Sequence, residues 1–193
     1  MRELALHILD IAENSISAGA TEIKIYINED LKDDKLIIHI KDNGKGMDPE
    51  TLAIVTDPFV TSRTTRKVGL GIPFFKAAAE ACEGKLTIQS KPNVGTKVAV
   101  QFKHSHIDRM PLGDLTGTLL TLIIGSPEIN WIFDYRYNGH QFIFDNQPIK
   151  DTLDGVPLSE PAVMRFIREM LESGIQEARY NGYLEKIKEV QAP

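Results

Sequence analysis

Apolar residues recur with helical spacing at the amino terminus of the chain. The side of this predicted helix that we expect to be buried carries Leu4, Ile8, Ile11 and Ser15. The opposite side is polar and carries Asp10, Asn14 and Ser17. Gly19 follows at the position where a helix often ends on glycine. The pattern predicts a helix over residues 2–17, with His7 interpreted as a surface histidine.

Alternating apolar and polar residues follow, which is typical of strands with one buried face. Residues 22–28 place Ile23, Ile25 and Ile27 on one face. Four such strands are predicted, at residues 22–28, 35–41, 85–90 and 96–102. The polar link between the first two makes them an antiparallel pair, and a short turn separates the last two.

Two helices and a long loop are predicted between these pairs of strands. Asp48 and Pro49 suit the cap and the first position of a short helix. A second helix is predicted over residues 71–82. Residues 56–68 are polar, basic and aperiodic, so we interpret them as a loop, and a loop of this length in a compact domain usually has a function.

The pattern changes near residue 104. An apolar run at residues 112–124 predicts a helix, and an amphipathic helix is predicted at residues 161–179. Asn138-Gly139 is a preferred pair for a two-residue turn, so residues 130–138 and 140–145 are expected to form a hairpin. We therefore divide the chain into a domain at residues 1–104 and a small α+β extension at residues 105–193, which packs on the first domain or meets a partner.

Composition and charge narrow the function classes. The net charge of −5 argues against a general nucleic-acid surface or an anchor to an anionic membrane. The single cysteine, Cys82, excludes an internal disulfide and is interpreted as a small buried hydrophobe. No apolar run approaches the roughly 20 residues of a membrane span, and the N-terminus lacks the layout of a signal peptide. We expect a cytoplasmic protein with neither nucleic-acid nor membrane partners.

Three segments carry candidate chemistry. Asp42-Asn43-Gly44-Lys45-Gly46 follows a strand and, taken alone, is equally consistent with a surface turn. A calcium loop is excluded because the twelfth position is Ala53 rather than glutamate. Val68-Gly69-Leu70-Gly71-Ile72 precedes a helix, where glycine lets the backbone approach a ligand and free N–H groups bind an anion. The third segment is the polar side of the first helix, which alone is also consistent with a solvated surface.

The order of these segments resembles a known superfamily. Residues 10–20, which include Glu13-Asn14-Ser15, resemble the N-box of MutL-type ATPases, and residues 42–47 resemble their first glycine box. Residues 58–65 and 69–72 resemble the lid and second glycine box of histidine kinases, and Gly95-Thr96 matches a final Gly-Thr. The chain thus resembles the ATPases of gyrase, chaperones, histidine kinases and MutL. The resemblance implies a Bergerat-type α/β sandwich of the α+β class, with helices on one face of a mixed, mostly antiparallel sheet.

The resemblance also implies roles for individual residues. Asp42 is expected to accept a hydrogen bond from the adenine amine, with Gly44, Gly46 and Met47 around the base and Thr96 reaching it directly or through water. Asn14 is expected to offer an oxygen to Mg²⁺. The phosphates are expected to contact the following residues: Arg63, Lys67, Gly69, Leu70, Gly71 and Ile72.

One departure from the family pattern affects catalysis. Hydrolysing members have a glutamate four residues before the magnesium-binding asparagine, and here that position is Asp10. Aspartate has a shorter side chain, and a displacement of about 1 Å can cost about 10²-fold in rate. Glu13 is the weaker candidate, because it is displaced around the helix from Asn14.

The whole chain resembles small stand-alone bacterial ATP-binding proteins. We expect a regulatory protein that binds ATP and Mg²⁺, with kinase or slow ATPase activity left open. The alternatives are a serine kinase of the anti-sigma type and an inactive scaffold that binds nucleotide. The region from residue 105 onward is expected to contact a protein partner or a second copy of the chain, and it shows no catalytic constellation.

Overall fold

The computed structural model describes residues 3–56 and 71–191. In chain order the elements are α1 (Leu4–Ser17), β1 (Glu22–Asp30), β2 (Lys35–Asp42), α2 (Pro49–Thr56), α3 (Gly71–Glu80), β3 (Lys85–Lys91), β4 (Gly95–Lys103), α4 (Leu115–Gly125), β5 (Asn130–Tyr137), β6 (His140–Asp145), α5 (Gln147–Thr152) and α6 (Pro161–Gln191). Most of the predicted loop at residues 56–68 lies outside the described residues.

The strands form one sheet in the order β3-β4-β2-β1-β5-β6. Neighbouring strands are antiparallel except β1 and β5, which run parallel. The predicted hairpin exists as β5 and β6, joined at Asn138-Gly139. This hairpin extends the sheet built by β1 to β4, so strands from both parts of the chain share one sheet. The predicted α+β class with a mixed, mostly antiparallel sheet is confirmed.

Helices cover one face of the sheet. Ile23, Ile25 and Ile27 of β1 point into this layer and are almost fully buried. Burying each such side chain contributes roughly 1.5–3 kcal/mol. The alternate residues, among them Lys24 and Tyr26, lie on the open face and are partly or fully exposed. Within the described ranges, no helix combines the length and apolar character that crossing a bilayer requires.

The buried side of α1 is wider than predicted. His7 is only 3% exposed, and its ring stacks on Phe75 of α3 with 4.9 Å between ring centroids. Burial lowers the pKa of His7. The interpretation of His7 as a surface histidine was wrong, because α3 packs against this side of α1 and residue 7 lies one turn from both Leu4 and Ile11. Cys82 is buried, as predicted.

The C-terminal helices differ from their predicted bounds. α4 begins at Leu115 rather than residue 112, because the Asp114 side chain caps it by accepting a hydrogen bond from the Gly117 amide. α5 was not predicted. α6 continues well past residue 179, since no proline interrupts the chain before its end at Gln191.

A buried carboxylate joins the sheet to α6. Glu29, at the end of β1, is 6% exposed and faces the helix layer. One of its oxygens accepts hydrogen bonds from the Tyr135 hydroxyl and, at 3.0 Å, from Arg179. The other oxygen lies 3.1 Å from His104 Nε2. The four residues come from β1, β5, α6 and the segment after β4, so this cluster connects both parts of the chain.

The hydrogen bonds in this cluster outweigh the cost of burial. Burial alone raises the pKa of the Glu29 carboxyl, but hydrogen bonds from His104, Tyr135 and Arg179, with the charge of Arg179, hold that pKa at about 2. Burial and the neighbouring Glu29 charge raise the pKa of Tyr135, so its hydroxyl stays a donor. Glu29 is therefore ionised in the folded protein at every pH above about 2.

We predict that Glu29 contributes to acid sensitivity. Its pKa is lower in the folded state than the ordinary value of 4.5. The resulting stability is therefore complete above about pH 4.5 and is lost as the pH falls towards 2. The loss is on the order of 3 kcal/mol.

Urea unfolding at a series of pH values measures this effect. The free energy of unfolding of Glu29→Gln should fall less steeply with decreasing pH than that of wild type. Glu22→Gln, which alters an exposed ion pair on the same strand, should keep the wild-type slope. Parallel curves for wild type and Glu29→Gln would contradict this account.

Candidate functional site

The Asp42 carboxylate is the second acid buried under the helices. Asp42 ends β2 and is 7% exposed. Its Oδ1 accepts hydrogen bonds from the backbone amides of Gly44 at 2.9 Å and Thr96 at 3.2 Å. Its Oδ2 accepts one from the Ser15 hydroxyl at 2.8 Å. A carboxylate offers about four acceptor positions, so one position on Oδ2 is left open.

Two glycines allow the backbone to close around this carboxylate. Gly95 has a φ of 125°, and a Cβ there would lie 2.0 Å from the Asp42 carbonyl oxygen. Gly46 has a φ of 63°, and a Cβ there would lie 2.1 Å from the Lys91 carbonyl oxygen. Other residues would be strained and would collide with backbone at both places. These glycines bring the loop after β2 against the turn between β3 and β4.

The loop after β2 is also tied to the segment after α1. The Asn43 side chain accepts hydrogen bonds from the amides of Thr21 and Glu22 and donates one to the Thr21 hydroxyl. The Lys45 amide donates to the Ala18 carbonyl at 3.0 Å. Asn43 thus holds the loop in place, whereas its neighbour Asp42 points into the protein.

A cavity of about 270 Å³ opens beside Asp42. Its lining comes from α1, α2, α3, the loop after β2 and β4: Ile11, Asn14, Ser15, Ser17, Ala18, Asp42, Lys45, Gly46, Met47, Thr51, Val55, Ile72, Thr96 and Val98. The lining is mainly apolar, with a few converging polar groups, which is the usual character of a small-molecule site.

Hydroxyl groups form a second polar point at the cavity. Thr96 Oγ1 lies 2.8 Å from Ser90 Oγ, and either atom can be the donor. Ser90 Oγ also accepts a hydrogen bond from the Met47 amide at 2.8 Å. The Thr96 side chain is therefore held between β3 and β4 while its amide binds Asp42.

Asp10 lies beside the start of α3. The position that a Cβ on Gly71 would occupy is 2.9 Å from the Asp10 Cβ and 3.1 Å from its Oδ2. Any larger residue at position 71 would press against Asp10. Asn14 is one turn further along α1 and lines the cavity. Asp10 and Asn14 thus lie on the part of α1 that faces the N-terminus of α3, where free backbone N–H groups attract anions.

The structure brings together most of the predicted site residues that it describes. Six of them line the cavity: Asn14, Asp42, Gly46, Met47, Ile72 and Thr96. Gly44 binds the Asp42 carboxylate, and Gly71 contacts Asp10 beside the cavity. The remaining predicted residues, Arg63, Lys67, Gly69 and Leu70, lie outside the described residues.

Two residues of the candidate site were missed by the sequence reasoning. Ser15 was placed on the buried side of α1 without a role, yet it donates to Asp42. A hydroxyl on an otherwise apolar helix side is a usable signal, because a buried hydroxyl needs a partner. Ser90 orders Met47 and Thr96, and nothing in the strand pattern distinguished it from other polar residues.

Comparison with known proteins identifies the family and the fold of the chain. A family model described as "Histidine kinase-, DNA gyrase B-, and HSP90-like ATPase" matches residues 2–106, which is more than half of the 193 residues. The chain is 40% identical to the sensor protein kinase FleS of Pseudomonas aeruginosa over 89 residues, covering 46% of the chain and 22% of FleS. It is 33% identical to sporulation kinase D of Bacillus subtilis over 93 residues, which cover 48% of the chain and 18% of that kinase.

These relatives are much longer than the matched region, and the chain spans about a fifth of their length. Among solved structures, the Aquifex aeolicus MutL ATPase domain complexed with ADP superposes with a TM-score of 0.52 at 16% identity. The superposition covers 80% of this chain and 68% of that domain, and it shows a shared fold. Because the family model matches more than half of the chain, the chain belongs to the histidine kinase-, DNA gyrase B- and HSP90-like ATPase family.

Proposed function

We propose that this chain binds ATP with Mg²⁺ and acts as a regulatory module, with Asp10 as its candidate catalytic residue. The observation that carries the proposal is the Asp42 carboxylate, which is held by three donors and has one acceptor position left at the edge of the cavity. Membership of the ATPase family supports the same ligand.

Adenine fits the chemistry of this position. The adenine exocyclic amine is a donor, and the open position on Asp42 is an acceptor; a hydrogen bond to a carboxylate contributes about 1.5–3 kcal/mol. Guanine carries an acceptor oxygen at the corresponding position, which would face the carboxylate without a proton between them. Met47, Val98 and Ile72 supply apolar walls for the base.

The phosphates would lie towards the N-terminus of α3. The amides of Gly71 and Ile72 begin this helix, and the positive end of its dipole attracts anions. We propose that Gly69, Leu70, Arg63 and Lys67, which lie outside the described residues, complete this anion site.

The donor set near Asn14 fits magnesium bound together with a nucleotide. Among the described residues, no group of three or more histidine, cysteine, aspartate or glutamate side chains could hold a metal ion alone. Mg²⁺ commonly takes one or two protein oxygens, several waters and the oxygens of a substrate phosphate. Asn14 would supply the protein oxygen, and the ion would neutralise phosphate charge.

Asp10 is the candidate base because of its position in the site, although hydrolysing members of the family have glutamate there. It lies beside Gly71 at the proposed phosphate end of the site. From there its carboxylate would take a proton from an attacking water or hydroxyl. Protein kinase activity, including that of an anti-sigma type, and slow hydrolysis both need this step. An inactive scaffold does not need it.

The C-terminal region, residues 105–193, would pass the nucleotide state on to a protein partner. The Glu29 cluster supports this role, because it connects α6 and β5 directly to β1 of the nucleotide-binding part.

We predict that Asp42→Asn weakens ATP binding by about 10- to 100-fold. Asparagine keeps an acceptor for the amides of Gly44 and Thr96, but it places an NH₂ group where Oδ2 faces the cavity. Isothermal titration with ATP and GTP measures the effect, and the preference for ATP over GTP should also fall. Asp108→Asn, an exposed aspartate, is the matched control and should bind ATP as wild type does. Wild-type affinity in Asp42→Asn would overturn the site assignment.

We predict that Asp10→Asn keeps ATP affinity within about threefold of wild type while turnover falls by about 10²-fold or more. The amide fills the same space beside Gly71 but cannot accept a proton. Phosphate release from ATP over hours gives the turnover, and titration gives the affinity. Glu13→Gln changes the weaker candidate, which is exposed on the same helix, and should keep wild-type turnover. A loss of turnover in Glu13→Gln but not in Asp10→Asn would assign the base to Glu13.

Two results would contradict the proposed role of Asp10. Equal phosphate release from wild type and Asp10→Asn would show that Asp10 is not the catalytic base. Nucleotide binding by wild type without measurable release, and without transfer to any protein tested, would favour the scaffold.

A further inference from the structure

The sheet has two edges of different character. At one edge, β3 carries Lys85 and Lys91, and lysines on an edge strand discourage pairing with other chains. At the other edge, β6 reads His140-Gln141-Phe142-Ile143-Phe144-Asp145, with neither lysine nor proline. The Ile143 side chain is 57% exposed. The β6 edge therefore lacks the lysine and proline that commonly discourage strand pairing, and its one acidic residue is Asp145 at the end of the strand.

The backbone of β6 presents free hydrogen-bonding groups at this edge. Tyr137 and His140 close the two-residue turn of the hairpin, and hydrogen-bonded pairs alternate along an antiparallel ladder. Gln141, Ile143 and Asp145 consequently direct their N–H and C=O groups away from β5. β6 is the last strand of the sheet in the described residues.

The flank of α6 carries a stripe of residues at alternating spacings of four and three, which is the spacing of a coiled-coil seam. This α6 stripe consists of Phe166, Met170, Ser173, Glu177, Tyr180 and Leu184. Phe166 is 51% and Tyr180 64% exposed, although the helix buries a different set of apolar residues on the sheet. The stripe is therefore a second face of α6 that is apolar towards both ends, with Ser173 and Glu177 at its centre.

Charge is distributed unevenly around α6. The stripe holds one charged residue, Glu177. The flank on the other side of the exposed surface holds Arg165, Arg168, Glu172 and Arg179, and Arg168 pairs with Glu172 at 3.6 Å. An ordinary solvated helix surface would carry charge on both flanks.

The stripe and the β6 edge lie together. Phe142 of β6 packs where a Cβ on Gly174 would lie, so the middle of the stripe is over the middle of β6. An apolar groove of about 450 Å³ continues this face between α5 and α6, lined in part by Phe166, Met170 and Ile149. Edge, stripe and groove form one surface.

We propose that a second copy of this chain docks on this surface through a two-fold axis near Ile143. Antiparallel pairing of the two β6 strands about that axis places Ile143 opposite itself and Gln141 opposite Asp145 of the second copy. The Gln141 amide donates one hydrogen to Asp134, and its second hydrogen can go to Oδ2 of that carboxylate, whose Oδ1 accepts from the Gln147 amide. The two sheets then continue as one.

The same axis matches the two α6 stripes to each other. An antiparallel pair centred near Ile175 places Phe166 against Leu184 of the second copy and Met170 against its Tyr180. Ser173 then meets Glu177 of the second copy, and its hydroxyl can donate to the carboxylate. No like charges meet, and every contact occurs twice, as two-fold symmetry requires.

The extent of this surface suits a stable dimer. A helix rises about 1.5 Å per residue, so the seam from Phe166 to Leu184 is about 27 Å long. With two paired edge strands it can approach the roughly 1,200 Å² or more that specific interfaces bury. The self-matching order of residues selects a second copy as the occupant rather than an unrelated protein.

The test is the mass of the protein in solution. Sedimentation equilibrium of wild type at micromolar concentration should give twice the chain mass of 21.6 kDa. Ile143→Lys and, separately, Leu184→Glu should each raise the dimer dissociation constant about tenfold or more, because each buries charge at two symmetric positions. Ile107→Lys, at a 94% exposed isoleucine away from this surface, is the matched control and should stay dimeric. Equal melting temperatures would show that all variants are folded.

Cross-linking tests the register. The Cys82→Ser substitution first removes the single native cysteine. In that background, Ile143→Cys should form a covalent dimer with a short bifunctional thiol cross-linker, because residue 143 faces residue 143 of the second copy across the axis. Ile107→Cys should not. A monomeric wild type, or a dimer that survives both Ile143→Lys and Leu184→Glu, would overturn the proposal. If those substitutions disrupt the dimer but the Ile143→Cys variant does not cross-link, the two-fold register is wrong.

Discussion

A carboxylate that is buried in a protein has to be paired with donors, because leaving the charge unpaired costs several kcal/mol. Among the described residues this chain buries two acids, Glu29 and Asp42, at opposite ends of neighbouring strands on the helix-covered face. Glu29 is satisfied on both oxygens by His104, Tyr135 and Arg179. Asp42 is satisfied only by Ser15 and two backbone amides, and it keeps one acceptor position beside a cavity. The same physical constraint thus yields a structural joint at one end and a candidate binding site at the other.

Local pattern predicted the elements well. The alternation at Ile23, Ile25 and Ile27 predicted β1, and the pair Asn138-Gly139 predicted the hairpin of β5 and β6. Both predictions succeed because these patterns depend on only a few neighbouring residues. The pattern did not show that β5 pairs with β1 in parallel, since the two strands are about a hundred residues apart and nothing local encodes that choice. It also misjudged His7, because the packing of α3 against α1 decides whether that side of the helix is exposed.

The candidate site was predicted to the extent that single residues signal it. Gly46 was expected to leave space for the base, and in the structure its missing Cβ also makes room for the backbone of Lys91. The close approach of Gly95 to the backbone of Asp42 was not predicted. Ser15 and Ser90 were missed, because their roles arise only once α1, β3 and the loop after β2 are assembled. The placement of Asp10 against Gly71 likewise depends on how two helices pack. The resemblance to the ATPase family pointed to Asp10, but its contact with Gly71 could be known only from the packing of the two helices.

The arrangement of the sheet connects these features. Asp42 and the cavity lie at the β4 side of the central strands, whereas the β6 edge lies on the other side of β1. A second copy at that edge would leave the cavity open to nucleotide, since β1 and β5 stand between the two. One route between the two is β1, which carries Glu29 at one end and is tied to the Asp42 loop through Thr21, Glu22 and Asn43 at the other. A second route runs from α6 through α4 to α1, because these helices pack on one another. A strand buried on one face and fixed at both ends is a rigid connection, so it favours transmission by small shifts of whole elements rather than by local unfolding.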